Sequence, residues 1–170
     1  MDLIKLKIPA TFIRDRAPMS WRELKFGIDH ELLDPAAIVD LAPEQSEQHD
    51  RGLNAWVDLA RADPGAGSEI VDEFASAEQE LSESEIRDKW LYLVLAWIYE
   101  YRGEFRDPLQ IVEAVYADFG YPPEIEQFVR YMPMEGPDLG TREANEQRLI
   151  ERWKNYLDAR AAQHNTRPAT

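Results

Sequence analysis

Three histidines and a large excess of carboxylates are the residues with chemistry to offer. His30, His49 and His164 stand among 33 Asp and Glu. The most suggestive spacing is the dipeptide His49-Asp50. Such a pair can give two ligands to a divalent cation, and His30 and Asp118 are available as further donors, so metal-activated hydrolysis of a phosphate ester is one reading. The plainer reading is a helix start with Asp50 as its cap. His49 follows Glu44-Gln45-Ser46-Glu47-Gln48, a polar run without the apolar neighbours that would dry a metal pocket. Other catalytic signatures are absent: no His-Glu-x-x-His, no glycine loop with Gly-Lys-Ser/Thr and no Gly-x-Ser-x-Gly occurs. Gly65-Ala66-Gly67-Ser68 lies between Asp63 and Glu69, which would repel an anion. Carboxylate pairs are too abundant here to single out a glycosidic acid and base. With no cysteine, disulfides, thiolate metal sites and thiol nucleophiles are excluded. The residues lead to the expectation of no catalytic group, no metal and no cofactor.

Charge narrows the partners. Lys and Arg number 19, leaving a net charge of −14, which repels nucleic acid and anionic membranes. The deficit is uneven. Residues 1–27 carry six basic and three acidic side chains and residues 141–170 six and four, whereas residues 28–140 carry seven and 26. Glu69, Asp72, Glu73, Glu78, Glu80, Glu83, Glu85 and Asp88 are answered locally only by Arg87. One reading is a solvated face that aids solubility. The sharper one is a landing surface for a basic partner, with Asp72, Glu73, Glu78, Glu80, Glu83 and Glu85 as its electrostatic part. No secretory signal is visible, and the longest apolar run, Trp90 to Tyr99, is about half a bilayer crossing. A cytoplasmic location without membrane contact is the expectation.

These residues are carried by helices. Ile4, Leu6 and Ile8 alternate with Lys5 and Lys7, a short extended segment within an N-terminal arm over 1–18. Ser20 with Glu23 forms a capping box ahead of Trp21, Leu24, Ile28 and Leu32. Asp34-Pro35 and Asp107-Pro108 each pair a cap with a proline at the first helical position. Leu53, Trp56, Val57 and Ala60 mark a helix over about 49–62. Asp63 to Ser68 reads as a loop, Ser68 as the cap of a helix with Ile70, Phe74, Ala77 and Leu81 inward, and Ser82 or Ser84 as the cap of the next. That next helix, about 83–102 with Gly103 as its stop, is apolar on every side and belongs at the centre of a bundle. Pro122-Pro123 starts a short helix through Tyr131, Met132 to Gly140 is a loop, and Thr141 caps a last helix striped by Leu149, Trp153, Tyr156 and Leu157. The chain from 163 to 170 is expected to fray. The sum is an all-α, single-domain bundle of about eight helices over 1–170.

One segment is more specific. Tyr116-Ala117-Asp118-Phe119-Gly120-Tyr121-Pro122 reads as a helix end, with Gly120 taking a left-handed stop and Phe119 and Tyr121 anchoring the turn. Together with Glu124, Phe128, Tyr131-Met132-Pro133 and the earlier Ser20-Trp21-Arg22-Glu23-Leu24-Lys25-Phe26-Gly27-Ile28, it resembles a bacterial domain-of-unknown-function family of small acidic helical proteins, over residues 19–157. Some members of that family serve as immunity proteins beside polymorphic or contact-dependent toxins. The resemblance implies a non-catalytic protein that neutralises a cognate, basic toxin domain, and it brings no catalytic residues with it. The alternatives are a helical His-Asp phosphohydrolase, or a homo-oligomeric scaffold seeded by an exposed Trp21 or Trp153. Monomer and homodimer are both compatible with the sequence.

Overall fold

The computed structural model describes residues 6–41 and 62–165. The described residues form an all-α protein of seven α-helices and three short 3-10 helices, with no strand. The helix expected over about 49–62, and with it His49-Asp50, lies outside the described residues. The chain divides into two compact units, 2–90 with the end from His164, and Leu91–Gln163.

In the first unit the N-terminal arm is extended at Ile8, whose N–H donates to the Leu32 carbonyl at 2.9 Å and whose side chain is buried. The arm then turns into a helix that periodicity does not reveal, α1 (Ala10–Arg14), too short to show more than the buried pair Phe12 and Ile13. Helix α2 (Trp21–Asp29) begins with the expected capping box. A 3-10 turn over Pro35–Ala37, capped by Asp34, leads into α3 (Ile38–Leu41).

Helix α4 (Pro64–Ala77) corrects the sequence reading at both ends. Asp63, not Ser68, is its cap: the Asp63 carboxylate accepts from the Gly65 N–H at 2.9 Å, and the glycines form the first turn. At Gly67 this turn runs close to the chain at Pro35; a Cβ would lie 3.3 Å from the Pro35 carbonyl oxygen, a tight contact. The helix stops at Ala77, so Ala77 and Leu81 are exposed and the buried stripe is Gly67, Ile70, Val71 and Ala75. Phe74, half-buried, stacks on Trp21 with ring centroids 4.6 Å apart, which locks α4 to α2.

Helix α5 (Glu83–Glu100) is the apolar one, and every residue from Trp90 to Ala96 is buried, with Ile98. It ends earlier than expected: Gly103 is not its stop but part of a 3-10 turn over Arg102–Glu104. In the second unit follow α6 (Pro108–Asp118), a 3-10 helix over Pro123–Phe128, an irregular segment from Val129 to Thr141, and α7 (Arg142–Asn165). Its core joins Leu93, Leu95, Ile98, Val112, Ile125, Phe128 and Trp153. Trp153 meets Tyr99 edge-on at 5.1 Å and lies parallel to Phe128 at 6.2 Å. The last helix continues through Asn165, past the point where fraying was expected.

Candidate partner-binding surface

The six carboxylates singled out from the sequence do not share one environment. Glu73, Glu80 and Glu83 are exposed, as is Glu69. Asp72 is exposed but paired with Lys25 of α2, which also meets Asp29 at 3.0 Å. Asp72 first, then Asp29, hold the Lys25 ammonium above its ordinary pKa. Glu85 is half-buried. Glu78 departs furthest from a free surface charge. Its carboxylate turns back onto the start of α2, where Oε1 accepts from the Trp21 N–H and Oε2 from the Arg22 N–H, both at 3.0 Å. It neutralises helix-end donors that have no partner inside their own helix. Glu78 stands at the end of α4, where its ψ of 153° leaves helical geometry.

The motif at the start of α2 is a fold determinant of the same kind. Glu23 is buried; its Oε2 accepts from the Ser20 N–H at 2.8 Å, and its Oε1 meets the buried Lys89 ammonium at 2.6 Å. Lys89 also donates to the Pro18 carbonyl at 2.9 Å, and the Trp90 indole N–H donates to the Glu23 carbonyl at 2.7 Å. One turn on, Gly27 leaves room for that indole, where a Cβ would sit 2.6 Å from Cη2.

The second motif closes α6 as expected, with one difference. Phe119 is the helix cap, Gly120 follows at φ 77°, and the Tyr121 N–H donates to the Tyr116 carbonyl at 2.8 Å while the Gly120 N–H donates to Ala117 at 3.1 Å. This paired closure satisfies two otherwise free carbonyls. Phe119 anchors the turn from inside, but Tyr121 is 60% exposed and itself left-handed at φ 62°, its ring edge-on to Tyr116 at 5.2 Å. Asp118 is half-buried and Pro122 carries the chain to the Pro123–Phe128 turn. Buried Tyr116 donates to Glu126 at 2.9 Å, and burial followed by that bond pushes its pKa up to about 12.

Sequence reasoning missed two arrangements, because neither has a local signature. Arg130 is surrounded by Asp107 and Glu113 at 3.0 Å and Glu146 at 3.5 Å, carboxylates from α6 and its cap and from α7. The segment after Tyr131 is clamped by α7. Arg148 donates to Pro137 at 2.7 Å, Arg152 to the carbonyls of Glu135 at 2.7 Å and Gln127 at 3.1 Å, and Asn145 bonds both Leu139 and Asp138.

Of the histidines considered for metal chemistry, His49 lies outside the described residues and His30 stands at the end of α2. It caps the C-terminus of α2, its Nδ1 is 2.8 Å from the Phe26 carbonyl, and its ring stacks on Phe26. No group of three or more His, Asp or Glu arranged for a metal occurs among the described residues. Trp21 and Trp153, expected to be exposed, are not. Trp153 is fully buried and Trp21 nearly so, each held by the ring contacts above. Among the described residues no helix is long and apolar enough to cross a membrane. A groove of about 470 Å³ lies beside Arg22, Lys25, Phe26 and His30.

No curated protein and no solved structure matches the chain. A family described as uncharacterised protein conserved in bacteria, DUF2247, matches residues 10–161, a span that takes in the capped start of α2, the apolar helix α5 and the Tyr116–Pro122 closure. The chain therefore belongs to the DUF2247 family of bacterial proteins.

Proposed function

We propose that this protein is a non-catalytic, cytoplasmic immunity-type protein that binds and neutralises a cognate basic toxin domain. The observation that carries the reading is the run of exposed carboxylates Glu69, Glu73, Glu80 and Glu83 on α4, its following turn and the start of α5, in a chain of net charge −14. Of the six carboxylates expected to meet the partner, Glu78 bonds the start of α2, Asp72 pairs with Lys25 and Glu85 is half-buried, so the proposal leans on Glu73, Glu80 and Glu83. A single-sign field speeds encounter with a basic protein, by tenfold or more at low salt, while a few aromatic anchors set the residence time.

The test starts beside the gene. Co-expression with a toxin-like domain encoded upstream should restore growth, and the purified pair should associate faster as salt is lowered. Glu73→Lys, Glu80→Lys and Glu83→Lys together should slow association about tenfold and flatten its salt dependence. Growth that is not restored, or an unchanged association rate in the triple variant, would overturn the reading.

A further inference from the structure

One face of α2 lines a groove. Arg22, Lys25, Phe26 and Asp29 follow one another at three- and four-residue spacing, which places them on the same side of the helix. Ser76 of α4 and Ile86 of α5 complete the lining, around a volume of about 470 Å³. All of these residues belong to the first unit. The volume falls in the range of small-molecule sites, and the lining has the usual mixture of apolar surface, here half-buried Phe26 and buried Ile86, with a few polar groups.

The two cations on this wall differ in what they meet. Lys25 is held between Asp72 and Asp29, the latter at 3.0 Å, so its charge is already matched. Arg22 is half-buried, and its guanidinium has no ion pair among the described residues. One of its amino groups donates to the Glu78 carbonyl at 3.2 Å, whereas the Glu78 carboxylate is committed to the backbone N–H groups of Trp21 and Arg22. The Arg22 Nε is shut off from water and has no acceptor. In a chain with 33 acidic side chains, a half-buried guanidinium without a carboxylate is an exception. Donors on a charged group cost free energy when they are desolvated and unmet, and an incoming acceptor recovers it.

We infer that this groove binds a small organic monocarboxylate, its carboxylate on the Arg22 guanidinium and its apolar body against Phe26 and Ile86. A carboxylate fits the planar guanidinium and makes the stronger, charge-assisted kind of hydrogen bond. The single charge follows from the single unmatched cation. Asp29 and Asp72 stand beside Lys25 and repel a doubly charged group such as phosphate. The site goes beyond the proposed function: Glu73, Glu80 and Glu83 do not line it.

The experiment titrates nitrogen-15-labelled protein with benzoate, with benzamide, which has the same ring without the charge, and with inorganic phosphate. Benzoate should bind saturably and move the backbone amide signals of Arg22, Phe26 and Ser76; benzamide and phosphate should bind about tenfold more weakly or not at all. Arg22→Gln should weaken benzoate binding about tenfold. Ser76→Leu places a larger side chain in the groove from an exposed helical position, leaves Arg22 in place and should abolish binding with the melting transition kept. If Arg22→Gln melts early, Ser76→Leu decides. Equal binding of benzoate and benzamide, tighter binding of phosphate, or benzoate binding that survives Ser76→Leu would each overturn the inference. Failure of both benzoate and the longer acid octanoate to saturate would overturn it as well. None of these results bears on the acidic-surface reading, which is decided by association with the toxin domain.

Discussion

Gly27 has no room for a methyl group. In an ordinary helix interior, replacing glycine by alanine gains about 1 kcal/mol, but here the new carbon would meet the rigid Trp90 indole, which is itself tied to the Glu23 carbonyl. Overpacking should win, and Gly27→Ala is expected to lose about 1–3 kcal/mol in urea unfolding. Beside it, Lys89→Met would leave the buried Glu23 carboxylate without its cation. The expected loss is about 3 kcal/mol, with a large part recovered in Glu23→Gln/Lys89→Met, because the cost lies in the stranded charge. A double variant no more stable than Lys89→Met alone would refute that explanation. Glu23 was legible as a capping residue because its spacing from Ser20 is local. Its pairing with a lysine 66 positions later was not, since nothing near Lys89 in the sequence marks it as buried.

At the scale of elements, caps set the boundaries. Asp34, Asp63 and Asp107 each accept from a backbone N–H of the turn they begin, and each precedes a proline. The cap-then-proline pattern located two of these starts from sequence alone. It was overlooked at Asp63, where the glycines of Pro64-Gly65-Ala66-Gly67 outweighed it, although Asp63 caps the turn and Pro64 stands at its first position. Glu78 acts across elements, standing at the end of α4 and supplying acceptors to α2. Glu78→Ala should therefore cost about 1–2 kcal/mol and fray the start of α2, seen as faster amide exchange at Trp21 and Arg22. Glu80→Ala, on an exposed side chain in the same turn, should leave both unchanged.

For the whole molecule, pH is the direct probe. Asp34 is held below the usual carboxylate range first by the Ala36 N–H and then by Lys7, and Asp138 by the Asn145 amide and the Gly140 N–H. At Asp107 burial pushes the pKa up, but the Gln110 N–H and Arg130 outweigh it and the net shift is downward. Groups depressed in the folded state contribute stability above their unfolded values, near 3.9, and lose it as pH falls through the folded ones. The melting temperature should thus hold from about pH 7 to 5 and drop below about pH 4, with a smaller drop in Asp107→Asn. Tyr116 has the opposite sign. Raised to about 12, its contribution is complete below about pH 10 and disappears as pH climbs towards the folded value. One phenolate absorbance step should be absent until about pH 12 and should vanish in Tyr116→Phe.

The sequence by itself determined the all-α class, most of the helix starts, the apolar character of α5, the closure at Gly120 and the acidic balance of the chain. Each depends on neighbours within a turn or on composition, which the linear order preserves. Only the tertiary structure decided that Glu78 turns inward, that Arg130 gathers three carboxylates, that α7 clamps the segment after Tyr131, and that Tyr121 and Tyr131 face outward while Trp21 and Trp153 do not. An aromatic or charged residue carries the same letter whether buried or exposed. Its environment is set by side chains dozens of positions away, and it is there that its contribution to stability or binding is decided.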